Sequence, residues 1–339
     1  MNEHVKRRSV PRIISENFVI LILMVAVYLL MWAMDGHDFV AMNNLSSMAY
    51  QLPILGLLSL GMMIAMLSGG INLSIIATAN FNGIMIAVLI KSMAGGSMLD
   101  ASGAVVLLCI IGAFICSMLV GVINGLFISL LKIPDILVTL GTMSIVGGVN
   151  VWLTEGYTIS DFPQSVLALG NSTILGIPSA LIIFVIGAAV ASFILNRTSF
   201  GHELYMMGSN QQATRYSNVS LVKVTVQQYM LSSFFAVLCS LVMIGQLNSV
   251  KADYASSYLL VSILAGFLGN VNPFGGFGKV AGTVIAVIIL QFISSGLNLM
   301  GVDSFLITAM WGLIIIVVVI VKGAVPKIKK ARLERKNSN

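Results

Sequence analysis

Ten stretches of this chain are long and apolar enough to dictate how it folds. A helix crossing a hydrocarbon layer about 30 Å thick needs roughly 20 mostly apolar residues, and an unbroken helix is one of the few structures that satisfies its own backbone there. Such runs fall near residues 18–34, 45–67, 75–93, 103–131, 136–153, 178–195, 224–246, 257–270, 279–300 and 304–322. With 58% apolar residues, 9% charged residues and a mean hydropathy of +1.01, 339 residues of this kind fit no soluble class. The expectation is an all-α integral membrane protein, a polytopic bundle of about ten transmembrane helices. The first run, "FVILILMVAVYLLMWAM", follows a basic start but lacks a small-residue cleavage site, so it reads as a retained span.

Charge placement gives an independent check on this topology, because Lys and Arg near span ends collect on the cytoplasmic side. With the N-terminus inside, sixteen of the eighteen basic residues fall on inner segments: Lys6, Arg7, Arg8 and Arg12, then Lys132, then Arg197, Arg215 and Lys223, then Lys279, then seven from Lys322 onward. Only Lys91 and Lys251 fall outside, together with Asp35, Asp38, Asp100, Glu155, Asp161, Asp253 and Asp303. Both termini are therefore expected in the cytoplasm. Residues 1–17 are expected to form a basic N-terminus, 18–322 the transmembrane domain, and 323–339 a basic tail suited to stop transfer and to contact with anionic membrane lipid. The net charge of +6 reflects this asymmetry and not nucleic-acid binding.

Several runs break the rule that a lipid-facing helix is uniformly apolar. "MLSGGINLSIIATANFNGI", Met66 to Ile84, holds Gly69, Gly70, Asn72, Ser74, Asn80 and Asn82 at membrane depth. Polar residues there weaken insertion, so the segment must face protein or water, and the paired glycines permit a helix break that is tolerated only where it is buried or lines a cavity. Broken helices near a pathway are expected, with Asn72, Ser74, Asn80 and Asn82 as candidate path residues. "GVING" (Gly121 to Gly125), "TLGTMSIVGGVN" and "FLGNVNPFGGFGKVAG" are similarly irregular, and Gly121 with Gly125 forms a small-residue pair suited to close helix packing.

All twelve acidic residues fall in expected loops or at span edges, and no span carries Asp, Glu or Arg near its middle. Proton-driven carriers and voltage sensors use such charges, so their absence argues against both. "GGFGKV" fails as a nucleotide-binding loop because Pro273 stands where glycine is required and Val280 replaces the hydroxyl that holds magnesium. Cys109, Cys116 and Cys239 read as buried free thiols, and His4, His37 and His202 as solvated loop residues. No enzyme chemistry, metal or cofactor is expected, and any ATP hydrolysis must belong to a partner.

One polar insert, 196–223, interrupts the apolar pattern between the sixth and seventh runs. Ser209 and Gln212 have the spacing of a capping box, which predicts a short helix starting near Asn210, with Gly208 providing a sharp turn into it. A short helix clamped between two spans would move with them as a lever.

"GSNQQATRYSN" (Gly208 to Asn218) resembles the cytoplasmic coupling loop of the permeases of ribose-type ABC importers. "LSGGINLS", "VTLGTMSIVGGV" and "GKVAGTVIAVIILQFISSGLNLMGVDSF" resemble further segments of that family in the same order, and the resemblance covers residues 40–322. It implies a transmembrane subunit working as a pair with a second permease, docked on two cytoplasmic ATPase subunits and fed by an extracytoplasmic solute-binding protein in a bacterial inner membrane. It further implies a coupling motif at Gly201, Gly208, Asn210, Ala213, Thr214, Arg215 and Ser217, and a membrane motif at Gly69, Gly70, Ile71, Leu73 and Ser74. The chain departs from the family pattern at Asn72, where Asp is usual, at Gln211, at Asn218, and at "LGNVNPFGG". The functional expectation is import of a sugar or sugar-like solute by alternating access. The rival is a stand-alone channel or sodium-coupled carrier for a small neutral solute.

Overall fold

The computed structural model describes residues 11–94, 98–99, 101–318 and 320. Lys6, Arg7, Arg8, His4, Asp100 and the basic residues from Lys322 onward lie outside the described residues. Eight described helices are long and apolar enough to cross a membrane. They are α1 (Pro11–Asp35), α3 (Met42–Met66), α4 (Ile75–Met93), α5 (Gly103–Leu131), α6 (Asp135–Thr154), α8 (Ser179–Arg197), α11 (Leu221–Leu247) and α13 (Val280–Leu299). Shorter helices connect them: α2 (His37–Val40), α7 (Gln164–Asn171), α9 (Ser199–Ser209), α10 (Gln211–Tyr216), α12 (Tyr258–Leu268) and the apolar α14 (Ser304–Val318). Among the described residues, strands are confined to two two-residue antiparallel pairs, β1 (Ile159–Ser160) with β4 (Ser249–Val250), and β2 (Thr173–Ile174) with β3 (Ile177–Pro178).

Two helices form the axis. The second half of α3, from Leu55 to Met66, is buried on every side, and α11 is buried along most of its length. Small residues let neighbours come close to α11: a Cβ on Gly121 of α5 would lie 2.7 Å from the Tyr229 carbonyl oxygen, and one on Gly125 would lie 2.5 Å from the Val226 Cα. The sequence pair Gly121/Gly125 is thus a helix-packing seam, as small-residue spacing predicts. By contrast α1 is almost wholly exposed and α6 largely so. Their outward apolar side chains, such as Leu29, Trp32, Leu137, Ile145 and Trp152, have no core to enter, which suits a hydrocarbon surround.

The structure differs from the sequence expectation in three places. The run 257–270 yields a helix of only 11 residues, α12; at 1.5 Å per residue it spans about 16 Å, half a bilayer core. It stops where Gly269 meets the backbone of Thr283. The segment between α6 and α8 carries an unforeseen helix, α7, whose Gly170 lies against Gly245 of α11 with no side chain between them. Among the cysteines, Cys109 and Cys239 are buried but Cys116 is partly exposed.

Candidate functional site

The bundle has an end that carries α9 and α10, and a far end that carries the 248–257 segment. At the first of these, α3 breaks. Gly69 takes φ +89, where an L side chain is strained, and its N–H donates to the Met66 carbonyl at 2.9 Å. A broken backbone inside a bundle needs outside partners. Gln228 of α11 supplies two, donating to the Ala65 carbonyl (2.9 Å) and to Ser68 Oγ (2.6 Å). Thr139 of α6 donates to the Ile71 carbonyl at 3.0 Å.

Beyond the break lies a buried network of amides and hydroxyls. Asn72 Oδ1 accepts from the Ser74 hydroxyl (2.7 Å) and from its backbone N–H (3.2 Å), while Asn72 Nδ2 donates to Ser232 Oγ at 2.8 Å. Ser232 donates onward to the Gly61 carbonyl (2.9 Å), Asn124 Nδ2 donates to Ser74 Oγ (2.9 Å), and Thr142 donates to Asn124 Oδ1 (2.6 Å). Five polar side chains from four segments are thereby mutually paired, which is how buried polar groups avoid their desolvation cost. Beside the network the Tyr229 hydroxyl donates to Asp135 Oδ2 at 2.9 Å, and the Asp135 carboxylate packs against Gly70. Asp135 sits at a helix edge, as the sequence placed every acid, yet its side chain turns inward.

The four candidate path residues do not share one surface. Asn72 and Ser74 belong to the network above. Asn80 Nδ2 reaches the far end, donating to the carbonyls of Ala252 and Tyr254, both at 3.0 Å. Asn82 turns to α5, where its Nδ2 donates to Ser117 Oγ at 3.2 Å and its Oδ1 has no partner among the described residues. All four are buried.

The insert 196–223 is a pair of helices joined by one residue. Thr198 caps α9, accepting from the Gly201 N–H, and Gly201 itself lies against the carbonyls of Ile194 and Leu195, so α9 turns sharply off the end of α8. Asn210 caps α10, its Oδ1 accepting from the Ala213 N–H at 3.0 Å. The cap therefore falls at Asn210, and the Ser209/Gln212 capping box does not form, because Ser209 is still the last residue of α9. The reading of Gly208 also changes. It is helical, and what it provides is close approach: a Cβ there would collide with the Leu67 carbonyl oxygen and the Gly276 amide nitrogen.

Those two groups are themselves bonded, Gly276 N–H to the Leu67 carbonyl at 2.8 Å. Gly275, at φ +87, completes the stack, since a Cβ on it would lie 2.8 Å from both the Gly208 carbonyl oxygen and the Gly69 nitrogen. The elbow thus rests, backbone on backbone, on the α3 break and on the 272–278 loop, the stretch whose sequence superficially matched a nucleotide loop. Tyr205 adds one side-chain tie, its hydroxyl donating to the Gly278 carbonyl at 2.7 Å, and burial pushes its pKa up. Of the remaining motif residues, Thr214 is buried, whereas Ala213, Arg215 and Ser217 are exposed beside Tyr216. The partnership between Gly208 and the 275–276 turn escaped sequence reasoning; the unexplained glycines of "PFGGFG" were its only signal.

At the far end a cavity of about 490 Å³ opens between α3, α11, α13, α14 and the 254–258 segment. Tyr254, Tyr258 and Trp311 line it, together with Gln51, Gln246 and a set of serines. None of the four candidate path residues borders it.

The family described as branched-chain amino acid transport system, permease component, matches residues 44–322. Curated relatives include the ribose import permease protein RbsC of Bacillus subtilis, 31% identical over 285 residues (84% of this chain, 85% of the relative). RbsC of Haemophilus influenzae is 28% identical over 320 residues (90% and 92%). The autoinducer 2 import system permease protein LsrD of Photorhabdus luminescens is 28% identical over 272 residues (78% and 79%). No solved structure matches.

Proposed function

The chain belongs to the family of branched-chain amino acid transport system permease components, a multi-pass membrane transport protein, and from that premise we propose that it imports a sugar-like solute by alternating access, driven by ATPase subunits that grip α9 and α10. The relatives named as ribose and autoinducer 2 import permeases support the solute class. In this reading the N- and C-termini, the 323–339 tail and the elbow are cytoplasmic, and the far end faces a solute-binding protein. A second permease copy or paralogue packs alongside, and lipid covers the remaining apolar surface.

One observation carries the coupling role: α10 is exposed on its outer side while the α9 end beneath it is seated without side chains on the α3 break. Force applied at Ala213, Arg215, Tyr216 or Ser217 is passed on through Gly208 with little slack, because backbone contacts cannot relax by changing rotamer. The break in turn holds Gly70, Ile71, Asn72, Leu73 and Ser74. We place the paired network of Asn72, Ser74, Asn124 and Ser232 at the closed inner part of the path, to be opened when the elbow moves. Asn80 and Asn82 lie farther along the chain, on α4. Directional transport further requires that the solute bind the two orientations with different affinity.

The test is reconstitution of the full chain in liposomes with and without the ATPase and binding-protein subunits. ATP-dependent accumulation that needs all three supports the proposal. Solute flux without the ATPase would establish the channel or sodium-coupled alternative instead. Labelling of Tyr216→Cys only from the outside of intact cells would place the elbow on the wrong face.

A further inference from the structure

The far-end cavity has a chemistry that the elbow and the break do not explain. Its volume, about 490 Å³, lies within the range of pockets for small organic ligands, about 300–1,000 Å³. Two kinds of group line it. Tyr254, Tyr258 and Trp311 contribute aromatic surface, and Ser256, Ser257, Ser294 and Asn298 contribute hydroxyl and amide groups. Ser256, Ser257 and Asn298 are exposed and Ser294 is half-buried, and among the described residues their side chains make no hydrogen bond to the protein, so they are open to a ligand. Gln246, which also lines the cavity, is already committed through Nε2 to the Tyr50 carbonyl at 2.7 Å.

Among the described residues, no Asp, Glu, Lys, Arg or His lines the cavity. The nearest charged groups in sequence are engaged elsewhere: Lys251 pairs with Asp253 at 3.2 Å, and Asp303 Oδ1 accepts from the Phe305 N–H at 2.8 Å. An ionic ligand would lose its hydration there without a counter-charge. An alkane-like ligand would strand the serines and Asn298 without water or partner. A neutral ligand with several hydroxyls and apolar C–H faces meets both demands, pairing its hydroxyls with the unpaired side chains and laying C–H groups on the electron-rich ring faces.

We infer that this cavity is an outward-opening binding site for a neutral polyhydroxylated solute of monosaccharide size, held by Ser256, Ser257, Ser294 and Asn298 against Tyr254, Tyr258 and Trp311. The inference rests on the import reading above, which places this end on the solute's side of the membrane, and adds the place where the solute first meets the permease. The cavity floor, Ile54, Met243 and Val261, is apolar, so a solute seated there waits above a closed bundle.

The test uses spheroplasts expressing the full chain with Cys109, Cys116 and Cys239 replaced by Ala and with Ser294→Cys. A membrane-impermeant thiosulfonate labels Cys at 294 from outside, and D-ribose, D-xylose, D-galactose and D-glucose are compared with D-gluconate and D-glucosamine as protecting agents. At least one neutral sugar is expected to slow labelling fivefold or more, and the two ionic compounds are expected to leave it unchanged. Absence of labelling from outside, protection by no neutral sugar, or equal protection by the ionic pair overturns the assignment. Because the cysteine replacements can disturb folding, tryptophan emission of the natural chain gives a second reading: the protecting sugar shifts it, and Trp311→Phe removes the shift. An unshifted emission likewise counts against the site. Uptake that proceeds without an ATPase defeats the import reading while leaving protection intact; ATPase-dependent uptake without protection defeats only the cavity.

Discussion

Replacing Gly208 with Ala adds one methyl group at the point where the elbow meets the break. That carbon would sit closer than any real Cβ contact to the Leu67 carbonyl oxygen and the Gly276 amide nitrogen, with the Leu67 carbonyl carbon at 3.1 Å behind them. All three are backbone atoms, so no rotamer change relieves the clash. Overpacking of this kind costs about 1–3 kcal/mol, relieved either by lifting the elbow or by wedging the Gly276 N–H away from the Leu67 carbonyl. The seated elbow is thus weakened by about 1–3 kcal/mol, which shifts the seated fraction about fivefold to 150-fold. In proteoliposomes with the partner ATPase, Gly208→Ala is expected to lower solute uptake per ATP hydrolysed about fivefold or more while ATP turnover continues. Amide exchange at Gly276 should rise in parallel. Gly141→Ala is the internal control, since a Cβ there has nothing within 4 Å, and it should transport normally. Wild-type coupling and unchanged exchange in Gly208→Ala would refute the claim that force passes through this contact.

Three further outcomes follow from the same geometry. Asn72→Leu leaves the buried Ser74 hydroxyl and N–H without their acceptor, while Ser232 keeps the Gly61 carbonyl, so purified protein should lose about 1–3 kcal/mol of stability, and uptake should fall even where assembly, judged by size-exclusion chromatography, persists. Asn210→Ala removes the cap on Ala213 and should fray α10 by about 0.5–2 kcal/mol, read as weaker co-purification of the ATPase. Tyr205 carries a pKa raised above its ordinary 10.0 by burial. Its contribution is therefore complete below pH 10 and lost as the pH rises through the folded value, because the unfolded chain ionises first. Thermal melts across that window should show an alkaline loss that Tyr205→Phe reduces, at the cost of about 0.5–1.5 kcal/mol at neutral pH for the bond to Gly278.

The membrane helices were legible because lipid imposes one simple demand, length of apolar sequence, and the long runs carry it openly. The same rule misjudged 257–270: hydropathy reports burial from water, and α12 is buried against protein as well as apolar, so its shortness left no trace in composition. The amide cluster was readable as something other than lipid-facing. Its division into three separate attachments was not, since Asn80 and Asn82 are two positions apart on α4 and point to different neighbours. At the elbow, the helix start was visible to within one residue. Which of Ser209 and Asn210 caps it depended on where α9 ended, and that is set by the seat under Gly208, a contact between positions far apart in sequence. Tyr229 and Asp135 were missed for the same reason: each alone looks ordinary, and only the fold, which packs α6 on α4 and α5 while α11 packs on both of those helices, brings them to 2.9 Å.

The glycine seat has a consequence for how such a subunit can diversify. Because Gly208, Gly275 and Gly276 meet main chain to main chain, nothing chemical about any side chain is read there, whereas every distinguishing group on α10, from Gln211 to Ser217, lies on top except Thr214. On the coupling role proposed above, choice of companion and delivery of thrust are written on opposite sides of one short rod. Swapping the outer letters would let the same lever answer to a different motor without retuning the hinge.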